Sequence, residues 1–275
     1  MKVMILGKNG RLGSVLLSKL SEISGVEVFS FSHRELDILD KDTLFHKVNE
    51  ICPDFVINCV AYNDVIKAED EGKEIAHALN AEALVYLSEY CNLNDSVLIH
   101  FSTDYVFDGK KEDFYLEDDH PNPLNEYGLS KFLGEKAVRE TCLKYYIIRT
   151  AWLFGNGQSF VDKMIELSKP QNEIKATNDK VGSPTYIPDL ADFVINNFVL
   201  ERPDFGIYHG VNDGKVSRYE LAKKALEIIG SKCSVLPVSS DEFPSKAVLP
   251  DFAPLLNTKL NKLRSFEEAL TEYLK

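Results

Sequence analysis

Short apolar runs alternate with longer amphipathic stretches through the first half of the chain. The short runs are bounded by glycine, proline or polar residues, as buried strands are, whereas the longer stretches have helical spacing. Predicted strands occupy residues 2–6, 26–31, 55–59, 97–101 and 145–149. Predicted helices follow the first glycine loop and occupy roughly residues 41–52, 71–91 and 127–142. The alternation predicts an α/β fold with a Rossmann-type, doubly wound parallel sheet.

The second half of the chain has a less regular pattern. It predicts helices at 160–167, 187–200, 217–229 and 265–273, strands at 206–211 and 235–238, and a loop at 181–185. Such a mixture favours a smaller C-terminal α/β lobe that binds a substrate beside the sheet. We assign residues 1–150 to a dinucleotide-binding domain, to which segments around 187–213 return. The substrate-binding lobe then comprises residues 151–186 and 214–275.

Composition and charge indicate which partners and which cellular location to expect. With 275 residues and a net charge of −12, the chain would repel a phosphate backbone, so nucleic acid is not an expected partner. Its five cysteines are scattered without a Cys-x-x-Cys pair, which is typical of a reduced cytoplasmic protein without a cysteine-bound metal. The apolar start ends at Gly7, too early for a signal peptide or a membrane span. We therefore expect a cytoplasmic protein with no metal site and no membrane association.

A glycine-rich loop joins the first strand to the first helix. Its glycines allow the backbone to approach a pyrophosphate, and the helix amino terminus supplies N–H donors and a partial positive charge. The alternative is an ordinary strand-to-helix turn, which the place of the loop after the first strand disfavours. The predicted dinucleotide-binding residues are Gly7, Asn9, Gly10, Arg11, Leu12 and Gly13.

The end of the second strand bears on the choice of dinucleotide. NAD sites usually have an acidic residue there, which holds a ribose hydroxyl. This chain has Arg34 instead, and a guanidinium suits a 2′-phosphate. The cofactor favoured is NADP(H), with NAD(H) as the alternative, since Arg34 is equally compatible with a solvated loop charge. Other residues expected on the cofactor side are Asp37 and Ile38 at the adenine, and Ala61, Tyr62 and Asn63 after the third strand.

The stretch from Leu98 to Lys131 carries the predicted chemistry. An apolar strand delivers Ser102, a cofactor-side residue, and Thr103 to its carboxyl end, where ligands of open α/β sheets bind. Tyr127 and Lys131 lie four residues apart on one helix, so they share a face and the ammonium is expected to lower the pKa of the phenol. Carbonyl reduction needs such a proton donor, a hydroxyl that holds the carbonyl oxygen, and a hydride source. Taken singly, the Tyr-Lys pair is also found on helix surfaces and Thr103 at strand ends, but their order favours catalysis.

Two further residues have no role that spacing alone can assign. Trp152 is the only tryptophan and follows the strand at 145–149. A tryptophan there either packs in the core or lines the pocket. Asn80 lies in the predicted helix at 71–91, where an asparagine often satisfies backbone groups.

Together these motifs resemble the extended short-chain dehydrogenase/reductases and, within them, the dTDP-4-dehydrorhamnose reductase family. The resemblance rests on the glycine loop, the run from His100 to Gly109 and the run from Pro123 to Lys131. Shorter matches extend it over nearly the whole chain, at residues 134–137, 149–152, 182–185 and 256–260.

The resemblance implies reduction of the C4 keto group of a nucleotide-linked 4-keto-6-deoxy sugar, such as dTDP-4-dehydro-L-rhamnose, by NADPH. NADH is often tolerated in the family. Carried onto this chain, it implies that Tyr127 protonates the keto oxygen, Thr103 hydrogen-bonds it, and Lys131 tunes the phenol and holds the nicotinamide ribose. It further implies that Asp104 and Trp152 contact the sugar and that Asn80 supports the proton relay.

Departures from the family pattern keep alternatives open. Leu249 stands where the family has an arginine, which removes a cation near the nucleotide diphosphate. A UDP-linked sugar or another 4-keto sugar is therefore an alternative substrate. Val65, Ile66 and Asn63 are further departures. The same fold also occurs in nucleotide-sugar epimerases and in a non-catalytic NADP-binding subunit resembling the methionine adenosyltransferase β subunit. A homodimer is the expected assembly beyond the monomer.

Overall fold

A computed structural model describes residues 1–275 and confirms the α/β architecture. The strands are β1 (Lys2–Leu6), β2 (Glu27–Phe31), β3 (Phe55–Asn58), β4 (Val97–Thr103), β5 (Tyr145–Thr150), β6 (Leu153–Phe154), β7 (Glu173–Thr177), β8 (Val181–Gly182), β9 (Thr185–Tyr186), β10 (Gly206–His209), β11 (Val216–Ser217) and β12 (Ser234–Val238). The α-helices are α1 (Arg11–Ser21), α2 (Lys41–Ile51), α3 (Lys73–His77), α4 (Ala83–Leu93), α5 (Glu126–Thr141), α6 (Phe160–Ser168), α7 (Ile187–Phe193), α8 (Arg218–Ile228) and α9 (Phe266–Leu274). None of these helices has both the length and the apolar character needed to cross a membrane.

The central sheet has six parallel strands in the order β10-β5-β4-β3-β1-β2. Helices α1 and α7 pack on one face and α2, α4 and α5 on the other, so the strands are apolar on both sides, as the continuous runs predict. The direction of the strand order reverses between β1 and β3. In such sheets, ligands bind in the crevice outside the carboxyl ends of the strands at that point.

Residues 187–209 run back to the central sheet, where β10 pairs with β5. The remaining C-terminal elements form separate small sheets and a second apolar cluster, built by α6, α8 and α9. Serine capping boxes begin all three helices, as the Ser217–Glu220 spacing indicates for α8.

Four local features differ from the sequence prediction. The helix predicted at 187–200 is α7 continued by a π-helical segment, Val194–Glu201. Strand β7 was not anticipated, although its residues alternate between buried and exposed, and it pairs in parallel with β12. The predicted loop at 181–185 contains β8, which pairs with β11, and the first residue of β9, which pairs with β6. The predicted helix at 71–91 is α3 and α4 joined by a π-helical turn at Ala78–Glu82.

Candidate active site

A cavity of about 400 Å³ lies at the carboxyl ends of β1, β3, β4 and β5. It brings together residues from the glycine loop, three strand ends, helix α5 and the segment after β5. The lining residues are Gly10, Arg11, Leu12, Asn58, Cys59, Val60, Ala61, Asn63, Phe101, Ser102, Thr103, Asp104, Tyr127, Lys131, Thr150, Ala151, Trp152 and Leu153.

The glycine loop is shaped by close backbone contacts at its first and last glycines. Gly7 has a φ of +87° and lies against the chain after β3, where a β-carbon would come within 3.2 Å of Val60. At Gly13, a β-carbon would lie 2.3 Å from the carbonyl oxygen of Gly7. The helix can therefore start this close to the strand only with glycine at both positions, which leaves the amino terminus of α1 facing the cavity.

Thr103 and Tyr127 reach the cavity from β4 and α5. Asn125 caps α5 by accepting a hydrogen bond from the Gly128 N–H at 2.8 Å, which places Tyr127 in the first turn. The Tyr127 hydroxyl donates to Oδ1 of Asn63 at 3.5 Å. The Thr103 hydroxyl donates to the Asp104 carboxylate at 3.0 Å and accepts from the Tyr105 N–H at 3.2 Å.

The ionisation of Tyr127 is governed by burial. Burial raises its pKa, and a hydrogen bond with Thr103 opposes the rise without cancelling it. The structure thus differs from the expectation that Lys131 lowers this pKa, because the Lys131 ammonium is turned toward β4. Its Nζ atom donates to the Phe101 carbonyl oxygen at 2.6 Å. Burial lowers the pKa of Lys131 to about 8, with a smaller opposing effect from Glu135.

Asp104 is a third ionisable group whose pKa is shifted by the site. Its side chain is buried, and this raises the pKa to about 7, although Thr103 and the nearby Arg218 oppose the rise. Both the neutral and the ionised carboxyl are therefore populated near neutral pH.

Trp152 lines the cavity of about 400 Å³ and is packed on its other side by two residues far from it in sequence. Its φ of 44° is in the left-handed region, which is unusual for a bulky residue and costs backbone strain. The Arg218 guanidinium lies 3.6 Å from the centre of the Trp152 ring, and Gly182 lies against another part of the ring. Packing against Gly182 and Arg218 thus fixes this side chain where it lines the cavity.

A second cavity, of about 120 Å³, adjoins the first and shares Asp104 and Trp152 with it. Two cations, Lys180 and Arg218, line it, together with Leu249. Lys180 also donates to the Leu249 carbonyl oxygen at 3.1 Å and forms an ion pair with Asp251. Asp104 and Trp152 thus lie at the boundary between the two cavities.

Some of the predicted residues lie away from the lining. Ile38 is buried in the apolar cluster beneath α2 and α4, so its side chain does not face the crevice; its carbonyl oxygen accepts from Tyr86. Asp37 accepts from the Leu39 N–H in a turn, and Arg34 is exposed. The others outside the lining are Gly7, Asn9, Gly13, Tyr62 and Asn80.

Asn80 connects the π-helical turn to two other segments. Its side chain accepts from the Tyr62 N–H at 2.9 Å and donates to the Tyr62 carbonyl oxygen at 3.0 Å and to the Ser130 hydroxyl at 2.9 Å. These bonds fix the chain after β3 against α5. Asn80 thus satisfies backbone groups, the structural option left open by the sequence, and reaches neither Tyr127 nor Lys131 by a hydrogen bond.

Sequence reasoning missed several residues that line the two cavities. The Thr150 hydroxyl, like that of Ser102, is buried in the cavity wall without a hydrogen-bond partner. Its position as the last residue of β5 was the signal that could have identified it. Arg218 and Lys180 carried no such signal, because only the folding of the lobe brings them beside Trp152.

The parallel sheet, the glycine loop at its carboxyl edge and the Thr103, Tyr127 and Lys131 side chains are features of the short-chain dehydrogenase/reductase class. The chain belongs to the family described as RmlD substrate binding domain, whose model matches residues 1–275.

Relatives at moderate identity cover nearly the whole chain. The spore coat polysaccharide biosynthesis protein SpsK of Bacillus subtilis is 36% identical, over 99% of this chain and 96% of its own. A dTDP-4-dehydrorhamnose reductase structure from Clostridium acetobutylicum is 36% identical, with a TM-score of 0.95 over 100% of this chain and 98% of that one. The Bacillus anthracis enzyme of the same name, in complex with NADP, is also 36% identical, with a TM-score of 0.92 over 99% and 98%.

Proposed function

We propose that the protein uses NADPH to reduce the C4 keto group of a nucleotide-linked 4-keto-6-deoxy sugar. The substrate is dTDP-4-dehydro-L-rhamnose and the product is dTDP-L-rhamnose. The observation that carries the proposal is the convergence of Thr103, Tyr127 and Lys131 on one cavity beside the glycine loop. Two solved relatives with the same fold bear the name of this reductase, and one of them contains NADP.

Several features of the cavity fit a nicotinamide dinucleotide. A β-carbon at Gly13 would fill the space where the loop turns, and the Ser102 and Thr150 hydroxyls are buried without partners. The loop would hold the pyrophosphate, Arg34 a 2′-phosphate, and Lys131 the nicotinamide ribose. When bound, the reduced nicotinamide supplies the hydride. NADH is the alternative donor.

Tyr127 acts as the proton donor in this proposal. Because burial raises its pKa, the phenol stays protonated at neutral pH and holds the proton that the keto oxygen needs. The Thr103 hydroxyl orients the same oxygen by turning its hydrogen bond from Asp104 toward the substrate. The role of Lys131 is to hold the ribose and to return a proton to the Tyr127 oxygen.

Residues 151–186 and 214–275 serve as the substrate-binding lobe. Its Lys180 and Arg218 supply the positive charge for a nucleotide diphosphate, and Leu249 adds an apolar side chain to the same cavity. Trp152 and Asp104, shared by both cavities, are suited to contact the sugar between the diphosphate and Tyr127.

The proposal extends to location and assembly. All five cysteines are free thiols, as expected in the reducing cytoplasm, where we place the enzyme. A homodimer would cover exposed apolar side chains near the ends of α4 and α5, such as Leu93 and Leu143. Light scattering coupled to gel filtration measures the assembly.

The test is NADPH oxidation against dTDP- and UDP-linked 4-keto sugars, with product configuration read by NMR. We expect oxidation with dTDP-4-dehydro-L-rhamnose, and a loss of roughly 100- to 10,000-fold in kcat for Tyr127→Phe. Tyr145→Phe is the matched control, because Tyr145 begins β5 at the opposite edge of the sheet. Epimerised sugar without net oxidation would identify an epimerase. Copurification with another enzyme and no turnover would identify a regulatory subunit.

A further inference from the structure

His100 is a buried titratable residue for which the proposed chemistry has no role. It lies in the middle of β4 and is 1% exposed. On one edge of its ring, Nδ1 lies 3.3 Å from the amide nitrogen of Asn58, the last residue of β3. The other nitrogen, Nε2, is 3.4 Å from Nζ of Lys131. The ring therefore joins a strand-end amide to the active-site ammonium.

The orientation of Asn58 is fixed by the backbone. Its Oδ1 atom accepts a hydrogen bond from the Val60 N–H at 3.0 Å. A backbone N–H can only donate, so the atom facing it must be the amide oxygen, and the NH₂ group must face His100. Asn58 cannot turn over without losing the Val60 bond.

The tautomer of His100 follows from this orientation. An amide NH₂ group only donates, so the Nδ1 atom that faces it must carry a lone pair. The hydrogen of the neutral ring is then on Nε2, since the hydrogen bond made by one ring nitrogen decides which nitrogen is protonated. This N–H points at Nζ of Lys131. An ammonium has no lone pair to accept it, whereas a neutral amine does.

We propose that His100, oriented by Asn58, is a positioning residue that presents its Nε2–H group to Lys131 and so favours loss of the ammonium proton. The inference rests on the proposed function, in which Lys131 returns a proton to the Tyr127 oxygen after the phenol has protonated the keto oxygen. A lysine that releases its proton readily performs that return faster. The Nζ lone pair created by the loss accepts the Nε2–H bond, and the ring itself gains and loses no proton.

Few charged or titratable groups face Lys131. From β4 there is His100, and from its own helix there is Glu135, which opposes the loss of the proton. The Glu135 carboxylate is already held by Arg149, with N–O distances of 2.7 and 2.8 Å. Tyr127 lies one helical turn earlier. The Phe101 carbonyl oxygen accepts a hydrogen from Nζ whether the group is amine or ammonium.

The protein contains its own control for the tautomer. His209 is the other buried histidine, and burial lowers its pKa as it does that of His100. Its Nδ1 atom lies 3.0 Å from the Leu256 carbonyl oxygen, which only accepts, so Nδ1 must carry the hydrogen. The two buried rings are therefore expected to be opposite tautomers.

The first test is long-range ¹H–¹⁵N NMR of the full chain labelled with ¹⁵N-histidine, without cofactor or substrate. We expect two rings that do not titrate between pH 6 and 8, one with hydrogen on Nε2 and one on Nδ1. His100→Phe should remove the signals of the Nε2–H ring. Hydrogen on Nδ1 of His100, or a charged ring, would overturn the proposal. Because no turnover is needed, this result is independent of whether the proposed reaction occurs.

The second test measures the pH dependence of kcat and of NADPH affinity for wild type, His100→Phe and Asn58→Leu. Removing the ring, or freeing it to present a lone pair, should let Lys131 keep its proton. The pH at which kcat falls to half on the alkaline side should then rise by about one unit. We also expect kcat to be lowered by a larger factor than KM is raised. An unchanged midpoint with activity lowered equally at every pH would mean that His100 only packs, and would refute the proposal. If no keto sugar is reduced, the proposed function fails. The pH at which NADPH affinity changes can still be compared between wild type and the two variants, and that comparison tests the role of His100.

Discussion

Gly182 lies directly against the indole ring of Trp152, where a β-carbon at position 182 would come within 2.5 Å of Cε2. The ring has little room to move away from Gly182, because the Arg218 guanidinium lies 3.6 Å from the ring centre. The strained backbone of Trp152, with φ at 44°, is held by these two contacts. The position of the ring, which lines both cavities, thus depends on a residue about thirty positions away in the sequence.

We expect Gly182→Ala to displace Trp152 and raise KM for the sugar nucleotide by roughly tenfold, the equivalent of about 1.4 kcal/mol. Because Trp152 is the only tryptophan, its fluorescence reports the displacement directly. The affinity for NADPH serves as the internal control, since Gly182 does not line the cavity of about 400 Å³ beside the glycine loop. Unaltered fluorescence together with a normal KM would show that the ring is not positioned by Gly182.

Asp104 should make stability depend on pH in an unusual direction. Burial raises its pKa from 3.8 to about 7, so the folded state holds the proton more tightly than the unfolded chain does. The protonated Asp104 carboxyl therefore contributes fully to the stability of the folded state at low pH, and this contribution is lost as pH rises from about 4 to 7. Across this range, we expect wild type to lose stability relative to Asp104→Asn, by an amount on the order of a few kcal/mol. Urea unfolding of both proteins at several pH values measures the difference.

Asp108 is a matched control with the opposite sign. Burial acts to raise the pKa of Asp108, but hydrogen bonds from Asn122 and Tyr115 outweigh it and lower the pKa below its ordinary value. The contribution of Asp108 to stability is therefore present at neutral pH and is lost on acidification. Wild type should therefore gain stability relative to Asp108→Asn as pH rises. Parallel pH trends for the two variants would contradict the assignment of the raised pKa to Asp104.

The sequence predicted the parts of the site that depend on local order along the chain. Thr103 and Tyr127 were found because an apolar strand and a capped helix fix where each one emerges. Ile38 is expected at the adenine, and the structure adds that its side chain is buried in the core; spacing alone does not show which side of a turn faces inward. The direction of Lys131 depends on the Phe101 carbonyl oxygen and His100 across the sheet, which only tertiary structure reveals.

The π-helical turn and the lobe contacts were unpredictable for related reasons. A π-helical turn contains one residue more than an α-helical turn. The apolar pattern at 71–91 does not show whether such a turn is present. Arg218 follows a recognisable helix cap, Ser217, but its contact with Trp152 joins segments far apart in sequence. Long-range contacts of this kind determine the shape of the cavity around Trp152.

The buried pair of Glu135 and Arg149 should be essential for stability although it does not line the cavity. Two hydrogen bonds of 2.7 and 2.8 Å join the side chains, and both are almost fully buried. Removing one partner leaves the other charge buried and unpaired. We expect Glu135→Gln or Arg149→Met to cost about 3–5 kcal/mol, measured by urea unfolding. The double variant Glu135→Leu with Arg149→Met should recover much of that loss, and a strictly additive loss would contradict this account.

Arg34 should decide between NADPH and NADH. It is exposed at the end of β2, whereas the neighbouring Lys8 is engaged with Glu35 at 2.7 Å. Arg34 is therefore the free cation at this strand end that can bind a 2′-phosphate. We expect Arg34→Ala to raise KM for NADPH roughly tenfold, since a charged hydrogen bond contributes about 1.5–3 kcal/mol, and to leave KM for NADH nearly unchanged. Arg139→Ala, which removes an exposed arginine near the end of α5, is the control for net charge. Equal increases for both dinucleotides would place Arg34 outside the phosphate site and leave Lys8 or Arg11 to bind it.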